Sequence, residues 1–307
     1  MTRFSRGLLA GLFALIAVPA FAAPEPPRQI AFTFDDLPVH GPLPAGETRL
    51  GVAKELIAAL KAAGLKGVYG FVNGGFAEAA PGSEAVFPAW REAGFPLGNH
   101  TWSHPNLNDL SVQDEEAQIA RDEPLLQQIA GGADWHWFRY PFLQEGTDPA
   151  KREEVRRFLA SHGYHIAQVT MDFADYAFNE PYARCMAKGD QAAVAKLEQA
   201  YLDSARENAR GFRTLSKALY GRDIPYVLLM HIGAFDAHML PRLLALYREL
   251  GFRFVTLPEA ERDPAYASDV DPSLPPEPVG LVAKARAKGI PIPPLYTQLP
   301  LLDEMCR

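Results

Sequence analysis

Long apolar stretches, cysteine and positive charge are all scarce in this 307-residue chain. After the first twenty or so residues no run supplies the roughly twenty apolar residues that a membrane-crossing helix needs, so no transmembrane anchor is expected. Cys185 and Cys306 are the only cysteines. They allow a single disulfide at most; two unpaired thiols fit equally well, because spacing alone does not bring two Cα atoms within bonding reach. Lys and Arg number 30 against 37 Asp and Glu, a formal charge of −7, which argues against nucleic acid as the partner. No feature points to a protein partner. The composition shows neither the low hydrophobicity of a disordered chain nor a collagen-like repeat.

One apolar run stands at the N-terminus. Arg3 and Arg6 precede the stretch from Gly7 to Val18, and Ala20-Phe21-Ala22 follows as a small-residue cleavage pattern. This predicts a secretory signal peptide over residues 1–22 and export to the periplasm or the medium, an oxidising setting for the two cysteines. No cysteine follows the cleavage site to carry a lipid. Losing Arg3 and Arg6 with the leader takes the formal charge from −7 to −9. With 48% hydrophobic residues, the rest can bury a large core.

Strand-like runs recur at Ile30–Phe34, Lys66–Val72, Phe95–Gly98, His136–Arg139, His165–Thr170, Pro225–Met230 and Phe252–Thr256, with helical patterns between most of them. This alternation predicts repeated βα units and a parallel sheet or barrel. Thr48 to Ala63 places Leu56, Ile57 and Leu60 on one stripe and stops at Gly64. Asp148 with Pro149 reads as an N-cap followed by proline at the first helical position, in a helix that ends at Gly163. Asp236 is expected to precede another helix, through Leu243, Leu244 and Tyr247 to Gly251. Residues 179–222 form a long excursion with one helical pattern, its polar face expected to be solvated. Residues 263–307 are rich in proline and lack a strong period; they are expected to wrap the surface as extended chain or remain partly mobile.

Two stretches carry candidate chemistry. Ile30 to Pro38 reads IAFTFDDLP, a β-favouring run ending in Asp35 and Asp36. Adjacent carboxylates repel, and a metal ion would relieve the repulsion, with Asp36 as ligand and Asp35 facing a bound water. Taken alone, the pair also fits a solvated acidic turn. Farther on, His100-Thr101-Trp102-Ser103-His104 again follows a strand. The two imidazoles can share a face if the connection makes a short helical turn that Pro105 ends. An isolated pair of this spacing also fits an ordinary surface. Joined to Asp36, it makes a two-histidine, one-carboxylate set with an open position, suited to zinc or a similar divalent ion.

Thr33-Phe34-Asp35-Asp36 and His100 to His104 resemble the first two motifs of the polysaccharide deacetylase family, the chitooligosaccharide-deacetylase-like domain of carbohydrate esterase family 4. Phe138-Arg139-Tyr140-Pro141-Phe142 is similar to the third motif, Asp172-Phe173-Ala174-Asp175-Tyr176 to the fourth and Leu229-Met230-His231 to the fifth. The resemblance implies an α/β fold, a distorted (β/α) barrel of about seven parallel strands, over residues 23–262. A helical insertion at 179–222 and a Pro-rich extension at 263–307 would elaborate it. The implied site lies at the carboxyl ends of the strands.

The resemblance also implies roles. Asp36, His100 and His104 hold one divalent ion, zinc by its donor set, and Asp35 is the catalytic base. The backbone N–H of Phe142 stabilises the oxyanion, and protonated His231 donates to the leaving group. Asp175 orients His231, Arg139 keeps Asp35 ionised, and Leu229 and Tyr176 wall the pocket for the acetyl methyl. Taken singly, Arg139 also fits a structural ion pair, His231 a satisfied core histidine and Leu229 ordinary core. His40, His136, His162, His165 and His238 match no motif and receive no function.

Two departures stand beside the acyl pocket. Leu37 replaces the family's usual glycine before Pro38, so the loop there is expected to take an ordinary conformation. Tyr176 replaces the usual tryptophan. The implied activity is a secreted, metal-dependent deacetylase acting on an acetylated glycan, N-acetylated peptidoglycan or chitin-like oligomers. An O-acetyl esterase of the xylan type, a small-amide hydrolase on the same scaffold and a non-catalytic glycan-binding protein are the alternatives.

Overall fold

Seven parallel strands form one sheet in the computed structural model, which describes residues 27–307; the leader expected over residues 1–22 lies outside the described residues. The strands are β1 (Arg28–Leu37), β2 (Tyr69–Val72), β3 (Leu97–Asn99), β4 (Trp137–Phe138), β5 (His165–Ile166), β6 (Tyr226–His231) and β7 (Phe252–Phe254). Each overlaps one of the runs expected from the sequence. Their order is β5-β4-β3-β2-β1-β6, and β7 pairs with the first residues of β1.

β1 is the organising strand because helices cover the parallel sheet on its outer side and barrel side chains fill it within, so its residues are apolar without alternation. Ile30, Ala31, Phe32 and Phe34 are all buried. Ile30 pairs with both Tyr226 of β6 and Phe254 of β7, while Thr33, Phe34 and Leu37 pair with β2. The sheet curls into a half-barrel whose edges meet through the chain after β5. There the Met171 N–H donates to Val227 O, the Leu229 N–H donates to Met171 O, and Met171 bridges Leu228. The architecture is the distorted (β/α) barrel that the motifs implied.

The helix Arg49–Ala62 begins on Thr48, whose hydroxyl accepts the Gly51 N–H, and is followed by Gly64 at φ 75°. Asp148 caps Pro149–Ser161 as the sequence indicates, accepting from the Ala150 N–H. Asp236 behaves differently from its expected role. The helix starts earlier, at Ala234, and Asp236 is buried in its first turn, receiving hydrogen bonds from Asn179 and Tyr201.

Residues 179–222 hold two helices rather than one pattern, Asn179–Lys188 and Gln191–Tyr220. The second buries Ser204, Asn208 and Ser216 as well as its apolar stripe, so its polar positions are only partly solvated. Ser204 donates to Phe173 O and Ser216 to Arg222 O, while Asn208 accepts the Tyr296 N–H of the proline-rich tail, which is more ordered than its composition suggests. It contains the helix Gly280–Ala287, which buries Leu281 and Ala285, and it ends in a disulfide from Cys306 to Cys185. Among the described residues no helix is long and apolar enough to cross a membrane.

Candidate active site

All five motifs end at the same rim because parallel strands place their carboxyl ends together. β1 brings Asp35 and Asp36, the chain after β3 brings His100 and His104, and β4 leads into Arg139 and Phe142. β6 carries Leu229 and His231, and the register pairs Asp35 directly with His231. Base and acid candidates therefore face each other across adjacent strands.

Asp35 and Asp36 part because Asp36 is left-handed, with φ 65°, and this turns its side chain away from that of its neighbour. A non-glycine residue there costs roughly 1–3 kcal/mol and needs support. Leu37 itself lacks positive φ, and the Leu37–Pro38 peptide is cis. Support comes from the Val39 N–H, which donates to Asp36 O at 2.7 Å, and from His40, whose Nδ1 lies 2.7 Å from Asp36 Oδ2.

Asp35 is buried against Arg139, which donates from Nη1 to Oδ1 at 3.0 Å and Oδ2 at 3.2 Å. The guanidinium is itself fixed by Ala167 O, the Thr33 hydroxyl and the ring of Phe71, 4.6 Å from its centroid. Burial pushes the Asp35 carboxyl above its ordinary value, and the Arg139 charge pulls in the opposite direction.

The expected helical turn between His100 and His104 is absent. The segment is a loop in which Thr101 and His104 have positive φ, 66° and 55°. Asn99 Oδ1 accepts the Thr101 N–H, Asn73 donates to the carbonyls of His100 and Thr101, and Trp102 N–H donates to Gln118 O. Left-handed residues, rather than helical spacing, thus turn both rings to one side.

The geometry fits a metal centre. His100 Nε2 lies 3.6 Å and His104 Nε2 3.4 Å from Asp36 Oδ1, while that buried oxygen has no hydrogen-bond partner among the described residues. Two ligands each about 2.0–2.1 Å from an ion, at a tetrahedral angle, stand roughly 3.3–3.4 Å apart. His100 Nδ1 is 2.6 Å from Arg139 O and so donates there, leaving Nε2 to face Oδ1. Burial brings His100 down to about 4 and His104 also to about 4, so both imidazoles are neutral donors. Burial opposes ionisation of Asp36, but the His40 hydrogen bond, with the electrostatic pull of His231 and His40, outweighs it and holds the carboxyl below its ordinary value. Asp36, His40 and His231 form a second cluster. There, however, the 2.7 Å separation of Asp36 Oδ2 and His40 Nδ1 is that of a direct hydrogen bond.

His231 Nδ1 is 3.0 Å from Asp175 Oδ1, and its backbone N–H donates to Asp175 Oδ2 at 2.6 Å. Burial pushes Asp175 up, to about 8, with Asp172 adding to the effect, and burial pushes His231 down. Burial thus disfavours the charged form of both members of the pair. Tyr176 packs edge-on against His231 and Leu229 is buried below. Phe142, at φ 55°, packs its ring edge-on to that of His104, with centroids 4.5 Å apart. Phe142 and Tyr176 are 57% and 47% exposed, which leaves the rim open between them to a ligand.

The structure brings together all ten residues singled out from the motifs. Sequence reasoning missed His40, which touches both Asp36 and the ring of His231. Its position four residues after Asp36, across Pro38, was the available signal.

Residues 22–167 match the family model for polysaccharide deacetylase. A chitin deacetylase of Colletotrichum lindemuthianum is 31% identical over 157 residues, 50% of this chain and 56% of that protein, so the match spans little more than half of the relative's length. A peptidoglycan-N-acetylglucosamine deacetylase of Bacillus cereus is 26% identical over 239 residues, 78% of this chain and 70% of the relative. Among solved structures, a mutant of a Bacillus anthracis CE4-family pseudoenzyme with restored enzymatic activity superposes with a TM-score of 0.54. It is 17% identical over 76% of this chain and 67% of that one, a likeness of fold.

Proposed function

We propose that this chain, which belongs to the polysaccharide deacetylase family, is an exported hydrolase that removes the acetyl group from N-acetylated sugars in peptidoglycan or chitin-like oligomers. The observation that carries the reading is the partnerless, buried Oδ1 of Asp36 facing two neutral imidazoles. Asp36, His100 and His104 would hold a divalent ion, and an oxygen and two imidazole nitrogens are a donor set that suits zinc. When bound, the ion supplies Lewis-acid polarisation of the acetyl carbonyl and acidifies water.

Asp35 accepts the proton of the attacking water, and Arg139 aligns its carboxylate for that role. The backbone N–H of Phe142 donates to the oxyanion that forms on the acetyl oxygen. His231 then protonates the leaving nitrogen, which is a poor leaving group without that proton, and Asp175 holds the imidazole through Nδ1. Leu229 and Tyr176 enclose the acetyl methyl group.

Acetate released from peptidoglycan, chitin oligomers and acetylated xylan by the zinc-loaded mature chain tests the reading. Release from the first two, abolished by Asp35→Asn without loss of zinc, is the expected result. Release from xylan alone would make the chain an O-acetyl esterase, and an active Asp35→Asn variant would refute Asp35 as the base.

A further inference from the structure

His40 lies outside every motif, yet it makes the only hydrogen bond to the Asp36 side chain among the described residues. A carboxylate at a metal centre can bind through one oxygen or two, and a freely rotating Asp would sample both. Here the two oxygens have different surroundings. Oδ2 is taken by His40 Nδ1 at 2.7 Å, and Oδ1 faces the Nε2 atoms of His100 and His104.

The imidazole is itself held. Arg49, on the first helix, donates from Nη1 to His40 O at 2.8 Å and from Nη2 to Gly41 O at 2.6 Å. Gly41 has φ 61°, and a side chain there would stand 3.1 Å from Cβ of Asn179 in the insertion. On its far side the His40 ring lies 4.6 Å from that of His231. Two elements thus fix the loop, and the loop fixes the ring.

We propose that His40 is a positioning residue of the metal centre: donating from Nδ1 to Oδ2, it restricts Asp36 to one ligating oxygen and aims Oδ1 at the site shared with His100 and His104. The inference rests on the reading of Asp36 as a metal ligand. It makes His40 a residue that sets the coordination number and keeps a place open for substrate, without itself touching the ion. The direct hydrogen-bond spacing to Asp36 separates it from the ligands, whose atoms stand farther apart.

The test uses the full mature chain, with zinc affinity measured by competition against a chelating dye and folding checked by thermal melting. His40→Ala is expected to weaken zinc binding 10–100-fold, the range for loss of a hydrogen bond to a ligand, while still binding one ion per chain. His40→Asn, whose amide nitrogen stands near the position of Nδ1, is expected to recover most of that loss. With cobalt as the probe, His40→Ala should show weaker d–d absorption as the released Oδ2 joins the coordination sphere, and His40→Asn should keep the parent spectrum.

Parent-like affinity and spectrum in His40→Ala would overturn the inference. So would loss of the bound ion from a folded His40→Ala chain, which would make His40 a ligand, or a His40→Asn variant as weak as His40→Ala. His104→Ala is the control for the underlying reading. Unchanged zinc affinity in that variant would remove the metal centre itself, and the inference with it.

Discussion

Asp35 and Asp36 are adjacent in sequence and occupy opposite environments, one held by a guanidinium and the other by an imidazole. The separation is possible because one left-handed residue reverses the side-chain direction at the end of β1. A different buried carboxylate has no such partner. Glu115, in the first turn of the helix Val112–Ile129, is fully buried, and neither carboxyl oxygen has a hydrogen-bond partner among the described residues. Burial pushes it up to about 7 from an ordinary value of 4.5, with Lys151 opposing. The folded state therefore holds a proton that the unfolded chain releases. Its contribution to stability is fully present below about pH 4.5 and is lost as the pH rises through about 7. The linkage is of order 3 kcal/mol. Glu115→Gln should remove it, so that the variant gains on the parent between pH 5 and pH 8 in denaturant unfolding. A constant difference between variant and parent at the two pH values would refute this account. Such a residue is hard to find in a sequence, because a glutamate at the start of a helix ordinarily signals a solvated, dipole-stabilising position. The motif residues were legible for the opposite reason: acids and imidazoles directly after apolar β-runs have few structural uses. His40 was not, since the feature that gives it a role is the turn of Asp36 toward it.

At the level of elements, the seven strands and the glycine-terminated helices were legible from β-favouring runs and from Gly64 and Gly163. The start of the helix Ala234–Glu249 was not. Its N-cap is Gly233, with no side chain to accept the first N–H groups. Asn179, from the insertion, does this instead: Oδ1 accepts the Phe235 N–H at 2.9 Å, and Nδ2 donates to Asp236 Oδ2 at 2.7 Å. A cap delivered from more than fifty residues away leaves no local pattern. Gly233 is required there, since an added Cβ would lie 2.2 Å from Asn179 Oδ1. Asn179→Ala should cost about 1–3 kcal/mol, combining loss of a cap with one lost partner of a buried carboxyl. Gly233→Ala should be destabilising through the same contact, and the two effects should be less than additive in a double-mutant cycle. Full additivity in denaturant unfolding would mean that the two positions act independently.

Across the whole molecule, the insertion and the tail form one covering that reaches the rim of the barrel. Leu295 crosses the second insertion helix at Gly211, where an added Cβ would lie 2.5 Å from its Cδ2. The next residue, Tyr296, donates its N–H to Asn208 and its hydroxyl to Asp172 of the fourth motif, at 3.1 Å each. Tyr296 and Asp172, with Leu143 and Gly280, also border a cavity of about 390 Å³. The sequence hid this order because prolines break the tail into pieces too short to show a period, and pairing of Cys185 with Cys306 depends on a Cα separation, 5.1 Å, that only the fold creates. The bond closes a loop of 121 residues, for which chain entropy in the unfolded state gives a stabilisation of about 5 kcal/mol at most. Replacing both cysteines by serine should therefore lower the melting temperature and speed proteolytic cleavage beyond Leu295. Zinc affinity should hold, because Asp36, His100 and His104 are carried by β1 and the loop after β3. Cleavage no faster than in the parent would show that Leu295, Tyr296 and the helix Gly280–Ala287 hold the tail by packing and hydrogen bonding alone. A coupled loss of zinc would show instead that the covering supports the rim down to the level of the metal ligands.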